Sequence, residues 1–164
     1  MDNKDRKEIA SRIHEVAINP ILNNEDLNDL YNSCKHNDIK SISSSCNYLP
    51  TLREKISPED KISLNALIGF PFGDIPTSLK LDLATWAIDL GADSLEVVPN
   101  YFYFNSKAID LFANEIESIN TKQIPIRIII NQNYFDKNNI AMLISILTEL
   151  NIENIQLGNG FGPK

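Results

Sequence analysis

The chain has few of the features that would place it outside the class of ordinary globular proteins. Its 164 residues include only two cysteines, Cys34 and Cys46, which cannot form a disulfide framework. No apolar run approaches the roughly 20 residues that cross a bilayer, and the charged N-terminus has no apolar segment behind it that would make a secretory signal. The net charge of −7 comes without a basic cluster. We therefore expect a cytoplasmic protein that binds neither nucleic acid nor a membrane.

Apolar segments of strand and helix type alternate along the whole chain. Strand-like runs lie at residues 39–45, 62–68, 94–98, 124–130 and 152–157, after a shorter apolar stretch at 12–18. Apolar residues at helical spacing predict helices at 48–56, 77–90, 106–119 and 136–150, and one that opens at 23–26 with Asn24 as its N-cap. Strands that alternate with helices of this length indicate βαβ units and a parallel sheet. We predict a single α/β domain over residues 1–164.

The most informative stretch is residues 68–73, Ile-Gly-Phe-Pro-Phe-Gly, which follows the third predicted strand. Gly69 and Gly73 bracket a loop in which the backbone can adopt a positive φ or approach a ligand closely. Sites in α/β folds lie at the carboxyl ends of the strands. The loop is therefore a candidate ligand loop, and the alternative is an ordinary turn without a ligand.

Several segments in order resemble the deoxyribose-phosphate aldolases. Residues 68–73 with Thr77 and Lys80 resemble the I-G-F-P-x-G…T…K signature of that family. Residues 87–100, AIDLGADSLEVVPN, continue the resemblance, and residues 126–130 and 155–163 align with the family's fifth and sixth strands. The resemblance implies a (β/α)8 barrel. This chain is then an incomplete TIM (β/α) barrel of about six parallel strands and five helices, without the last two βα units.

The resemblance also implies class I aldol chemistry, in which a lysine amine forms a Schiff base with an aldehyde. Gln156 stands at the position of that lysine, Arg127 at the fifth-strand lysine and Glu96 at the fourth-strand aspartate. Glutamine cannot form an imine. We therefore expect a pseudoenzyme. The alternative is an active carbon–carbon lyase on 2-deoxyribose 5-phosphate or a related small aldehyde or sugar phosphate, with Glu96 as acid and base.

Three further residues are candidate ligand contacts. Asn131 stands where the family has a glutamate after the fifth strand. Lys80 lies in the first turns of the helix after the loop, where a solvated lysine is the alternative. Gly160 belongs to a Gly-Asn-Gly turn that either binds an anion or only connects a strand to a helix. His14 and His36 lack acidic neighbours at ligand spacing, so we expect no metal and no cofactor.

Neighbouring strands make two geometric predictions. Glu96, Arg127 and Gln156 lie on strands four, five and six and should form one polar cluster, because buried polar groups need partners. Six strands cannot close the usual eight-stranded cylinder, so the first and sixth strands should be open edges. We expect a homo-oligomer or a partner chain to cover them. The alternative is a truncated gene, in which Lys164 is not the natural end.

Overall fold

The computed structural model describes residues 3–121 and 124–161, so Lys164 lies outside the described residues. Helices and strands alternate: α1 (Asn3–Ala10), β1 (His14–Ala17), α2 (Asn24–Asn37), β2 (Ser41–Ser44), α3 (Leu49–Lys55), β3 (Ser63–Ile68), α4 (Thr77–Asp89), β4 (Ser94–Val97), α5 (Tyr101–Asn105), α6 (Ile109–Asn120), β5 (Ile126–Ile130), α7 (Lys137–Glu149) and β6 (Ile155–Leu157). The strands pair in parallel and form one sheet in chain order. The predicted α/β partial barrel of six strands is confirmed.

The described residues hold two helices more than the five that the sequence predicts. The helix α1 occupies the charged N-terminal segment. The helix α5 is only five residues long and covers the aromatic run after β4. The Asn100 side chain caps α5 by accepting the Phe102 N–H at 3.1 Å, and burial of Tyr101 and Phe104 holds the short helix in place. A helix this short is stabilised by tertiary packing, which periodicity does not reveal.

The N-cap of α2 is Asn23, so the prediction of Asn24 is wrong by one residue. The Asn23 Oδ1 atom accepts the N–H groups of Glu25 and Asp26 at 2.7 and 3.1 Å. The Asp26 carboxylate accepts the Asn23 N–H in return at 2.8 Å. This reciprocal arrangement is a capping box, and it satisfies donors that the first helical turn leaves without partners.

The chain divides into two compact units. The first contains residues 1–67 and 86–94, and the second contains residues 68–85 and 95–164. The prediction of a single domain stays a prediction. All six candidate site residues belong to the second unit: Lys80, Glu96, Arg127, Asn131, Gln156 and Gly160.

A buried polar layer connects the strands of the first unit through Asn65, which is 3% exposed. The Asn65 Oδ1 atom accepts the hydroxyls of Ser63 and Ser94, both at 2.8 Å. Its Nδ2 atom donates to the hydroxyls of Ser41 and Ser43 at 2.7 and 3.4 Å. One amide therefore satisfies four hydroxyls, which removes most of the cost of burying them.

In the first unit, the Asp60 carboxylate makes polar contacts with three other residues. It accepts the Tyr31 hydroxyl at 2.7 Å and the Ser57 N–H at 2.9 Å, and it lies 3.0 Å from the Lys35 Nζ atom. The hydrogen bonds from Tyr31 and Lys35 hold the pKa of Asp60 well below its usual range. Asp60 therefore stays ionised in the folded protein below the pH at which an ordinary aspartate takes up a proton.

Both cysteines are free and buried in the first unit. Burial raises the pKa of the Cys34 thiol to about 11, and the charge of Glu15 adds to the effect. Burial also raises the pKa of Cys46. Neither thiol is activated as a nucleophile, because only the thiolate reacts readily.

Candidate active site

The loop after β3 is shaped by two glycines that allow close backbone contacts. Gly69 and Gly73 have φ values of +69° and +74°. A Cβ atom at Gly73 would lie 2.1 Å from the Pro99 carbonyl oxygen, and one at Gly69 would lie 2.9 Å from Lys80 Cε. No side chain can be accommodated at Gly73 without moving the backbone after β4. Close packing of the loop against β4 and α4 therefore explains why glycine is needed at both positions. This explanation does not require a bound ligand.

Lys80 is fully buried beneath this loop, so the alternative of a solvated lysine is wrong. Lys80 and Glu115 have side chains 0% and 1% exposed, and Lys80 Nζ lies 2.8 Å from Glu115 Oε1. The same carboxylate accepts the Thr77 hydroxyl and the Asn100 N–H, each at 2.8 Å. Burial lowers the pKa of Lys80, and Glu115 opposes that effect. Glu115 thus joins α4, α6 and the end of β4.

Sequence reasoning missed Glu115, although a signal for it exists. The buried residues of α6 are Phe112, Glu115, Ile116 and Ile119. Their spacing of three and four places them on one helix face. A carboxylate in the middle of an apolar helix stripe must find a partner inside the protein. The pattern of α6 alone therefore predicts buried donors or a cation opposite Glu115, and Thr77, Asn100 and Lys80 supply them.

Glu96 and Arg127 form an ion pair on adjacent strands. They are register partners in the β4–β5 pairing, and Arg127 Nη1 donates to Glu96 Oε1 at 2.7 Å. The Glu96 side chain is 3% exposed, whereas that of Arg127 is 30% exposed. The guanidinium therefore meets the carboxylate at one end and solvent at the other. This contact is the part of the predicted cluster that the geometry brings together.

Gln156 does not stand level with this pair. It is the register partner of Ile129, two residues further along β5 than Arg127. The Gln156 Nε2 atom donates to the Gly158 carbonyl oxygen at 3.1 Å. The predicted cluster of three residues is therefore corrected for Gln156. The stagger of β6 on β5 places Gln156 closer to the carboxyl ends of the strands than the Glu96–Arg127 pair.

The four residues after β6, residues 158–161, are called the strap here. The Asn159 side chain is its central contact and is 7% exposed. The Asn159 Nδ2 atom donates to the Pro71 carbonyl oxygen at 2.6 Å, and its Oδ1 atom accepts from Asn131 Nδ2 at 2.9 Å. The strap is thereby tied to the loop after β3 and to the end of β5.

Asn131, predicted as a ligand contact, is 1% exposed and engaged within the protein. Its Nδ2 atom donates to Asn159 Oδ1 and also to the Phe161 carbonyl oxygen. Its Oδ1 atom accepts the Asn133 N–H at 3.2 Å, and its backbone N–H donates to the Tyr101 hydroxyl at 3.0 Å. The Asn131 side-chain amide has two N–H donors, and both donate to acceptors in the strap.

Aromatic contacts are made by the last residue of the strap. The Phe161 ring makes edge contacts with Phe70 and Phe72, with centroids 5.6 and 6.4 Å apart. Phe161 and Phe72 remain 43% and 50% exposed. Gly160 lies inside the strap with a φ of +77°, and a Cβ atom there would meet nothing within 4 Å. The strap is held mainly by polar contacts and covers little apolar surface.

Two classes of site receive no support from the part of the chain that the structure describes. Within residues 3–121 and 124–161, no three His, Cys, Asp or Glu side chains are grouped so that they could hold a metal ion. In the same residues, no helix has the length and apolar composition to cross a membrane.

Comparisons with known proteins support the fold and the resemblance. No protein-family model matches the chain. The deoxyribose-phosphate aldolase of Treponema denticola is 24% identical over 162 residues, which cover 96% of this chain and 74% of that protein. The aldolase QR15 has a TM-score of 0.89 at 22% identity, with coverage of 99% of this chain and 72% of its own. A tetrameric deoxyribose phosphate aldolase from Aeropyrum pernix has a TM-score of 0.84 at 20% identity and coverage of 98% and 70%.

Proposed function

We propose that this deoxyribose-phosphate aldolase-like protein is a pseudoenzyme, which keeps the aldolase scaffold but forms no Schiff base with its ligand. The observation that carries the proposal is the 2.7 Å contact between Glu96 and Arg127. By resemblance, these positions belong to an aspartate and a lysine, and Gln156 replaces the lysine that forms the imine. The ligand we propose is a small aldehyde or a sugar phosphate.

The chemistry of the residues supports the loss of activity. An arginine stays protonated and is a poor nucleophile. The Glu96 carboxylate is engaged by the Arg127 guanidinium at 2.7 Å, so a substrate proton would have to compete with Arg127 for it. Lys80 is the only lysine that is buried among those whose burial the structure describes. Its nitrogen donates to Glu115 at 2.8 Å, so attack on an aldehyde would require that buried ion pair to be broken first.

Borohydride trapping tests the proposal directly. The protein is incubated with acetaldehyde or 2-deoxyribose 5-phosphate, reduced with borohydride and examined by mass spectrometry. We expect no stoichiometric adduct on a single lysine and no cleavage of the sugar phosphate. Gln156→Lys is the matched control, because it returns an amine to the sixth strand and is expected to gain an adduct at residue 156.

A stoichiometric adduct on one lysine of the unsubstituted protein, with cleavage of 2-deoxyribose 5-phosphate, would overturn the pseudoenzyme proposal. It would support an active lyase, with Glu96 as acid and base. Loss of that cleavage in Glu96→Gln would then assign the role to Glu96.

We also propose that the chain forms a homo-oligomer. The strands β1 and β6 are the edges of the sheet, and Val16 and Leu157 on them are 45% and 58% exposed. Exposed strand edges with apolar residues favour association. The similar A. pernix aldolase is tetrameric. Sedimentation equilibrium measures the mass in solution, and a monomer at all concentrations would refute this proposal.

A further inference from the structure

We propose that the strap is a latch that closes the carboxyl ends of β5 and β6, and that a ligand binds only after the latch has opened. This inference rests on the proposed function, because it concerns access to the same site. Three of the six predicted site residues serve the strap. Gln156 and Asn131 bind it through their side chains, and Gly160 is part of it.

The latch uses the hydrogen-bonding groups that a ligand would need. Gln156 Nε2 donates to the Gly158 carbonyl oxygen, and both N–H groups of the Asn131 amide are directed to Asn159 and Phe161. A small polar ligand at these strand ends would have to compete with the strap for the same donors. The strap is therefore an internal competitor of the ligand.

Asn159 is the residue on which closure depends. It makes three hydrogen bonds: its Nδ2 atom donates to Pro71 O at 2.6 Å, and its Oδ1 atom accepts from Asn131 Nδ2 and from Phe161 N, both at 2.9 Å. These contacts join three separate segments: the loop after β3, the end of β5 and the strap itself. Asn159 has the one polar side chain among the four strap residues, since the others are two glycines and Phe161.

The strap also has the features of a segment that can open. Gly158 and Gly160 flank Asn159 with φ values of +86° and +77°. Glycine has the widest choice of backbone conformations, so it suits a hinge. Phe161 is already 43% exposed, so opening uncovers only the remaining part of one aromatic side chain. Segments held by few buried apolar contacts open with lower free energies than the core does.

Hydrogen exchange measured by mass spectrometry and ligand titration together test the latch. The variants are Asn159→Ala and Phe161→Ala, which loosen the strap in different ways. The control is Asn138→Ala, an exposed residue in α7. We expect exchange of the strap amides to rise roughly fivefold for each hydrogen bond lost, so on the order of 100-fold in Asn159→Ala. Exchange in the middle of β5 should not change.

The same variants should bind 2-deoxyribose 5-phosphate more tightly than the unsubstituted protein. When the competent state is a minor one, the apparent dissociation constant is raised by the inverse of its population. Loosening the latch removes that factor, so affinity should rise at least tenfold in Asn159→Ala and less in Phe161→Ala. The control variant should bind as the unsubstituted protein does.

Three results would overturn the latch. Exchange of the strap could be unchanged, or it could rise equally throughout β5, which would mark a general loss of stability. The third result is affinity that does not rise in either variant, absence of binding included. The pseudoenzyme proposal fails on a different observation, which is a borohydride adduct on the unsubstituted protein. That observation does not depend on hydrogen exchange in the strap.

Discussion

Replacing Glu115 by glutamine removes the carboxylate that faces the buried ammonium of Lys80. The two side chains are 1% and 0% exposed, and their charged atoms lie 2.8 Å apart. Glutamine keeps an oxygen for the Asn100 N–H and a polar group near Thr77, so the change removes charge and little volume. A buried charge that loses its partner costs about 3–5 kcal/mol. We expect Glu115→Gln to lower the free energy of unfolding by about this amount.

The companion substitution distinguishes the lost ion pair from damage to the packing. Lys80→Met places an apolar side chain of similar length in the same space and leaves the Glu115 carboxylate without its cation. Alone it should also cost about 3–5 kcal/mol. The double variant contains no buried charge at this place and should lose less than about 1.5 kcal/mol. The two substitutions should therefore be strongly non-additive, with a coupling free energy of at least about 4.5 kcal/mol.

Urea unfolding followed by circular dichroism measures these differences. With a slope of about 2 kcal/mol per molar urea, each single substitution should lower the midpoint by about 1.5–2.5 M. Glu117→Gln, an exposed position on the same helix, is the control and should change stability by less than about 0.5 kcal/mol. Additive losses in the double variant would refute the reasoning, because they would show that Lys80 and Glu115 contribute independently.

The pH dependence of Glu115→Gln gives a second check on the same pair. Burial already lowers the pKa of Lys80, and removal of the carboxylate takes away the main opposing influence. The unfolded chain then holds a proton that the folded protein has released. Stability should therefore rise with pH between the folded pKa of Lys80 and the ordinary lysine value of about 10.4. A deficit that stays constant over this range would contradict the account.

Three further predictions concern other parts of the chain. Gly73→Ala puts a Cβ atom 2.1 Å from the Pro99 carbonyl oxygen, whereas Gly160→Ala meets nothing within 4 Å. Only the first should lower the melting temperature strongly, since the φ at Gly160 alone costs about 1–2 kcal/mol, and equal losses would refute this. Asp60 has a depressed pKa, so its stabilising effect should be present above about pH 4 and lost as the pH falls below it. Urea unfolding of Asp60→Asn against pH checks this, and a constant difference would contradict it. Cys34, with a pKa of about 11, should resist iodoacetamide in the folded protein at about pH 8, and rapid alkylation would contradict this.

Most of the fold can be predicted from the sequence because its elements have strong apolar periodicity. The helix predicted at 77–90 is observed at Thr77–Asp89, and the strand predicted at 62–68 is observed at Ser63–Ile68. The helix α5 could not be predicted, since five residues give little more than one helical turn and the apolar spacing does not repeat. Its aromatic side chains indicate burial but do not indicate which backbone conformation achieves it.

The site is less predictable because its contacts depend on registers and distant partners. Adjacent strands make the Glu96–Arg127 pair a reasonable expectation, and it is observed at 2.7 Å. The position of Gln156 depends on the stagger between β5 and β6, which no residue pattern states. A lysine on a helix such as Lys80 is typical of a solvated face. The burial of Lys80 is stabilised by Glu115, which lies 35 positions further along the chain.

The sequence of the strap has a consequence for how the protein ages. Asn159 is followed by Gly160, and asparagine is one of the thermolabile residue types. Loss of the side-chain amide nitrogen would turn Asn159 into an aspartate, which has no proton to donate to the Pro71 carbonyl oxygen. The new charge would instead face that oxygen and repel it. An old preparation would therefore contain a growing fraction of molecules one mass unit heavier, in which the strap has lost its hydrogen bond to the loop after β3.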